Sequence, residues 1–104
     1  MAREPVDTTR RLDALQARKL LSRILRGKDS VAFGRHALER MEKHDLTKPD
    51  VINTIRCGTV GDGELVNGSW RYRVETGRMG VVVAFLGESE AVVVTVWRTK
   101  ARGR

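Results

Sequence analysis

The chain has 104 residues, long enough for one domain with a modest core and too short for two. Its 40% apolar and 32% charged residues describe a globular protein and argue against disorder. Twenty Lys and Arg against 13 Asp and Glu leave +7, which calls for a polyanionic partner: nucleic acid first, an acidic protein second, an anionic membrane surface third.

The one cysteine, Cys57, has no partner for an internal disulfide, and no Cys pair or Cys/His cluster offers a zinc site. The expectation is an intracellular protein without metal or cofactor. Residues 1–9 are polar, with no apolar stretch of signal-peptide length, and no run approaches the span of a bilayer. A cytoplasmic location with no membrane partner follows as the expectation.

Residues 1–8 read as a disordered lead in which Asp7, Thr8 or Thr9 stands ready to cap a helix. Over residues 9–26, Ala14, Ala17, Leu21, Ile24 and Leu25 make one apolar stripe, widened by Leu12, Leu15 and Leu20. Gly27 sits where a helix ends in left-handed geometry. The outer face carries Arg10, Arg11, Arg18, Lys19, Arg23 and Arg26. It is either a solvated face or a patch for a phosphate backbone.

Residues 30–33 read as a short extended segment before a second helix that begins near Gly34. On that helix His36 and Arg40 lie four residues apart on one face, beside an apolar stripe of Ala37, Leu38 and Met41. An imidazole next to a permanent cation suits a phosphodiester, because guanidinium binds phosphate oxygens bidentately and imidazole exchanges protons near neutral pH. Glu39 and Lys43 make an ordinary i,i+4 surface pair, and His44 reads as a cap at the helix end.

A third helix is announced by Thr47 as N-cap, Asp50 at the capping-box position and Leu46 opposite Val51 as a hydrophobic staple. Val51, Ile52 and Ile55 form its buried side, Gly58 ends it, and Cys57 reads as a small buried residue there. From this point the periodicity alternates. Residues 59–66 form a weak strand bent by glycines, Asn67-Gly68 is a hairpin turn, and residues 69–76 alternate strictly. Trp70, Tyr72 and Val74 share one face; Arg71, Arg73 and Glu75 share the other. The Val-rich runs 81–86 and 91–97 read as central strands, and residues 99–104 as a loose basic tail.

The predicted architecture is a single α+β domain over residues 1–104: three N-terminal helices followed by a four-stranded antiparallel sheet, with the helices on one sheet face. If Trp70, Tyr72 and Val74 turn toward the helices, Arg71 and Arg73 line the open face; a one-residue shift exchanges the two sets.

The run His36-Ala37-Leu38-Glu39-Arg40-Met41, the capped stretch from Leu46 to Val51 and the closing Val94-Thr95-Val96-Trp97 together resemble a bacterial family of small domains of unassigned function, recognised by Ser-x-His-Ala-x-x-Arg-Met after a strand. That family is similar in architecture to the RelE and MqsR toxins, whose fold is shared with barnase-like ribonucleases. The resemblance covers residues 31–98 as a RelE-like core and leaves residues 9–27 as an extra N-terminal helix. The chain departs from the pattern at Gly34, where the family has Ser, and at His44-Asp45, where it has Arg-Gly.

The resemblance implies the toxin of a toxin–antitoxin system, a metal-independent endoribonuclease acting on mRNA, with RNA as substrate and a cognate antitoxin as protein partner. Such cleavage needs a base for the 2′-OH proton, cations for the phosphorane and an acid for the leaving oxygen. His36 is the expected base or acid, and Arg40 holds the scissile phosphate. Thr95 positions the phosphate or His36, unless it is a buried strand threonine. Arg71, Arg73 and Arg98 form the expected RNA surface, with Tyr72 as acid or stacking platform against the reading as core, and Trp97 as a possible stacking partner. The alternative is a non-catalytic RNA- or DNA-binding module, or a basic protein that docks an acidic partner.

Overall fold

A computed structural model describes residues 6–27 and 31–99. The expectations for residues 1–5 and 100–104 lie outside them. In chain order the elements are α1 (Ala14–Leu25), β1 (Val31–Phe33), α2 (Arg35–Lys43), α3 (Lys48–Cys57), β2 (Thr59–Val60), β3 (Glu64–Val66), β4 (Ser69–Glu75), β5 (Met79–Phe85) and β6 (Ala91–Arg98).

Helix α1 starts later than its apolar periodicity suggests, because Asp13 and not residues 7–9 provides the cap. The Asp13 carboxylate accepts from the Gln16 N–H at 2.8 Å, and the Gln16 side chain accepts from the Asp13 N–H at 2.9 Å. Its last turn closes on Arg26 in right-handed geometry. The residues before the helix are an ordered strap. Leu12 is buried and donates its N–H to the Tyr72 hydroxyl at 2.9 Å, the Trp70 indole donates to the Thr9 carbonyl at 3.1 Å, and Val6 packs against the core. Residues 6–8 therefore do not belong to a disordered lead.

At α3 the capping box forms as expected: Thr47 accepts from the Asp50 N–H, Asp50 accepts from the Thr47 N–H, and Pro49 lies in the first turn. The far end of α3 is closed by α1, whose Arg18 donates to the carbonyls of Ile55 at 2.8 Å and Gly58 at 2.5 Å. A cation on the last carbonyls of a helix satisfies orphan acceptors and opposes the helix dipole.

The sheet corrects the predicted topology. Among the described residues it has six strands in mixed orientation, in the order β1-β6-β5-β4-β2, with β3 also paired to β4. The antiparallel β4-β5-β6 meander is present. The four-stranded antiparallel arrangement fails at both margins. β1 adds a parallel partner to β6 through Val31↔Ala91 and Phe33↔Val93, a pairing between distant segments that no local periodicity encodes. The stretch 59–66 breaks at Gly61-Asp62-Gly63, where Gly63 lies against the Tyr72 ring, and gives two short strands. Asn67 and Gly68, both at positive φ, make the tight β3–β4 turn.

The core lies between the helices and one face of the sheet. Tyr72 and Val74 of β4, Val81 and Val83 of β5, and Val93 and Val96 of β6 meet Leu20 and Leu21 of α1, Ala37 and Met41 of α2, and Val51 and Ile55 of α3. This settles the register in favour of Arg71 and Arg73 outside. One irregularity then decides what joins them. Unbroken alternation from Val93 would bury Thr95 and Trp97 and expose Val96. Instead the β5–β6 register shifts, with Val83 opposite Val93 but Val82 opposite Thr95, so that Val94 is a bulge. Val96 is thereby buried, and Thr95 and Trp97 emerge on the face away from the helices.

Candidate nucleic-acid interface

On the face without helices the ladder sets side chains in rows. One row runs Arg73, Val82, Thr95; the next runs Arg71, Ala84, Val92 and continues to Ala32 on the edge strand. A third joins Glu75, Gly80 and Trp97. The Trp97 indole lies across Gly80 so closely that a Cβ there would stand 2.1 Å from the ring carbon Cζ2. Only glycine leaves that space. Over the same ring sits the Arg73 guanidinium, its central carbon 5.1 Å from the ring centroid. The stack thus rises from backbone to indole to guanidinium, and Arg73 itself is exposed. Cation–π attraction and the fixed indole restrict the rotamers of an otherwise floppy side chain.

Arg71, one position along the same face, is half-buried with its Nε enclosed and without a hydrogen-bond partner among the described residues. An enclosed donor with no acceptor has already lost its water. Turning outward to an anionic oxygen therefore costs this side chain less than it costs a solvated arginine.

No family model, curated protein or solved structure matches the chain. No helix of the described residues is long and apolar enough to cross a membrane, and no group of three or more His, Cys, Asp or Glu among them could hold a metal ion.

The other residues singled out in the sequence divide between this face and structural posts. His36 is exposed in the first turn of α2, and Leu38, expected in the apolar stripe, is 43% exposed. Helix α2 runs beside β6 past the point where β1 stops. The Gly34 N–H donates to the Val93 carbonyl at 2.9 Å, Arg40 Nε donates to the Val96 carbonyl at 3.5 Å, and Arg98 donates to the carbonyls of His44 at 2.7 Å and Asp45 at 3.4 Å. The helix thus covers a strand edge that would otherwise present unpaired carbonyls. Arg40 and Arg98, expected on phosphate, are engaged in holding that seam. Arg71 and Arg73 stand on β4, separated from β6 by β5.

Tyr72 is in the core, its ring 5.3 Å from that of Phe85, and burial pushes its hydroxyl above the ordinary range while the Leu12 N–H partly opposes this. It presents no face to a base and no proton to a leaving group. His44 caps α2 as expected, with Nε2 enclosed and unpartnered among the described residues. Of the α1 cations, Arg18 closes α3 and Arg23 meets Glu88 at 3.0 Å, while Arg11, just before the helix, reaches Asp62 at 3.4 Å. These side chains stitch the fold. Cys57 is exposed, contrary to the expectation of burial.

The Arg73–Trp97 stack is the feature the sequence reading missed. One signal for it was present: Gly80 inside a Val-rich strand, a residue that weakens a strand unless another group must approach its backbone.

Proposed function

We propose that the chain is a polynucleotide-binding module whose helix-free sheet face holds the strand at Arg73 and Arg71. The observation that carries this reading is the exposed Arg73, its guanidinium carbon held over the Trp97 ring 5.1 Å from the centroid. A guanidinium fixed in this way binds phosphate oxygens through its N–H fork or stacks on a base through its plane, and less side-chain entropy is lost on binding. The formal charge of +7 supports it by drawing in polyanions from a distance. The test is fluorescence anisotropy with labelled RNA and DNA oligomers of about 12 nucleotides. Arg73→Ala and Trp97→Ala each weaken binding; unchanged affinity in both variants would refute the assignment.

A second reading, RNA cleavage by a toxin held in check by an antitoxin, has one observation in its favour. His36 is exposed in the first turn of α2, and that helix runs alongside β6, the strand that carries the outward-facing Thr95. His36 would then take the 2′-OH proton while Arg73 and Arg71 hold the chain. Cleavage would persist in EDTA and stop in His36→Ala, with oligomer binding retained. Intact RNA after prolonged incubation with the wild-type chain would remove this reading and leave binding alone.

A further inference from the structure

We infer that the strand taken by this face is single, with one unpaired base stacked on the outer plane of Arg73; the inference deepens the polynucleotide reading and rests on it. The Trp97 ring is packed on the Gly80 backbone, and the Arg73 guanidinium carbon stands over it, 5.1 Å from its centroid. A base therefore meets the guanidinium and not the indole. Guanidinium planes stack nucleobases much as aromatic rings do, but only bases withdrawn from a duplex offer a free face.

The rest of the surface points the same way. Beyond Arg73 and Arg71 the rows continue as the half-buried Val82, Val92 and Ala32 around the buried Ala84, with Thr95 as the polar break. A duplex turns phosphate ridges outward and hides its base faces in its own stack, so an apolar strip gains little from it. A single strand lays down phosphates at one margin and base faces beside them, which matches two arginines on one β-strand bordered by aliphatic side chains. Glu64, directly opposite Arg71 on β3, and Glu75, two residues beyond Arg73 on β4, bound the favourable potential on that margin.

The experiment compares the full chain binding to single-stranded RNA and DNA of mixed sequence with the same oligomers annealed to their complements. Arg73→Lys is measured beside the wild type, because lysine keeps the charge and loses the plane. Single strands are expected to bind at least about tenfold tighter than duplexes. Arg73→Lys is expected to cost single-strand affinity about 5- to 150-fold, the range of one base-stacking contact, with an unchanged melting temperature showing that the variant is folded. The tighter of the RNA and DNA arms names the source of the strand. Duplexes binding as tightly as single strands, or Arg73→Lys binding single strands as well as the wild type, would overturn the inference and leave polynucleotide binding standing. Failure of every oligomer to bind would overturn both.

Discussion

Gly80 has no side chain to contribute, and its importance lies in what rests on it. A methyl group there would meet the Trp97 ring at 2.1 Å, so the indole must shift off the backbone of β5. Gly80→Ala should cost about 1–3 kcal/mol in urea unfolding, the usual penalty for overpacking, and should weaken oligonucleotide binding by displacing Arg73. Full retention of both properties would show that the stack is looser than its geometry. Tyr72 makes a pH-dependent prediction. Its folded pKa is raised above 10.0 by burial, so the folded state holds the phenolic proton more tightly than the unfolded chain. That contribution is complete below pH 10 and declines as pH rises through the folded value. Stability should fall above pH 10 more steeply in the wild type than in Tyr72→Phe, read from thermal melts across that range. Tyr72 was legible from strict alternation in β4, whereas the Trp97 stack was not, because it depends on a partner strand that sequence periodicity does not name.

At the level of elements, legibility followed how local the determining chemistry is. The Thr47/Asp50 capping box lies within four residues and was readable in full; Thr47→Ala should lower stability by about 1 kcal/mol. Asp13 has the same relation to Gln16, but it sits inside an apolar periodicity that extends past it on the N-terminal side, which drew the expected start of α1 too early. The bulge at Val94 left no trace in the sequence, since residues 91–97 are apolar apart from Thr95 and either phase fits the pattern. Deleting Val94 leaves a regular alternation in which Val93 and Val96 still face the core and Thr95 and Trp97 still face outward, so the deletion should keep the fold with a melting temperature near that of Val94→Ala. A deletion variant that unfolds while Val94→Ala stays folded would mean that Val94 is not simply the extra residue of a bulge. The parallel pairing of β1 with β6 and the seam of α2 along β6 are equally non-local. They turned Arg40 and Arg98 from presumed phosphate ligands into groups that satisfy backbone carbonyls.

For the whole molecule, charge and topology act together. The sign of the partner could be read from a surplus of seven cations, but not the place where it binds. Arg11, Arg18 and Arg23 belong to internal contacts, and Arg71 and Arg73 are offered on the one sheet face to which no helix is packed among the described residues. Salt should weaken binding with a log-log slope of about −0.7 per phosphate neutralised on a single strand, and Arg71→Ala should reduce that slope by roughly one such increment. The most direct measurement is the emission of Trp97 during titration with a single-stranded oligonucleotide, in a Trp70→Phe background so that one indole reports. A saturating change in Trp97 emission, with the same midpoint as anisotropy, is the predicted result, because a base arriving on Arg73 alters the guanidinium that covers the indole. Full binding by anisotropy with Trp97 emission unchanged would contradict the account, placing the polynucleotide elsewhere on the molecule.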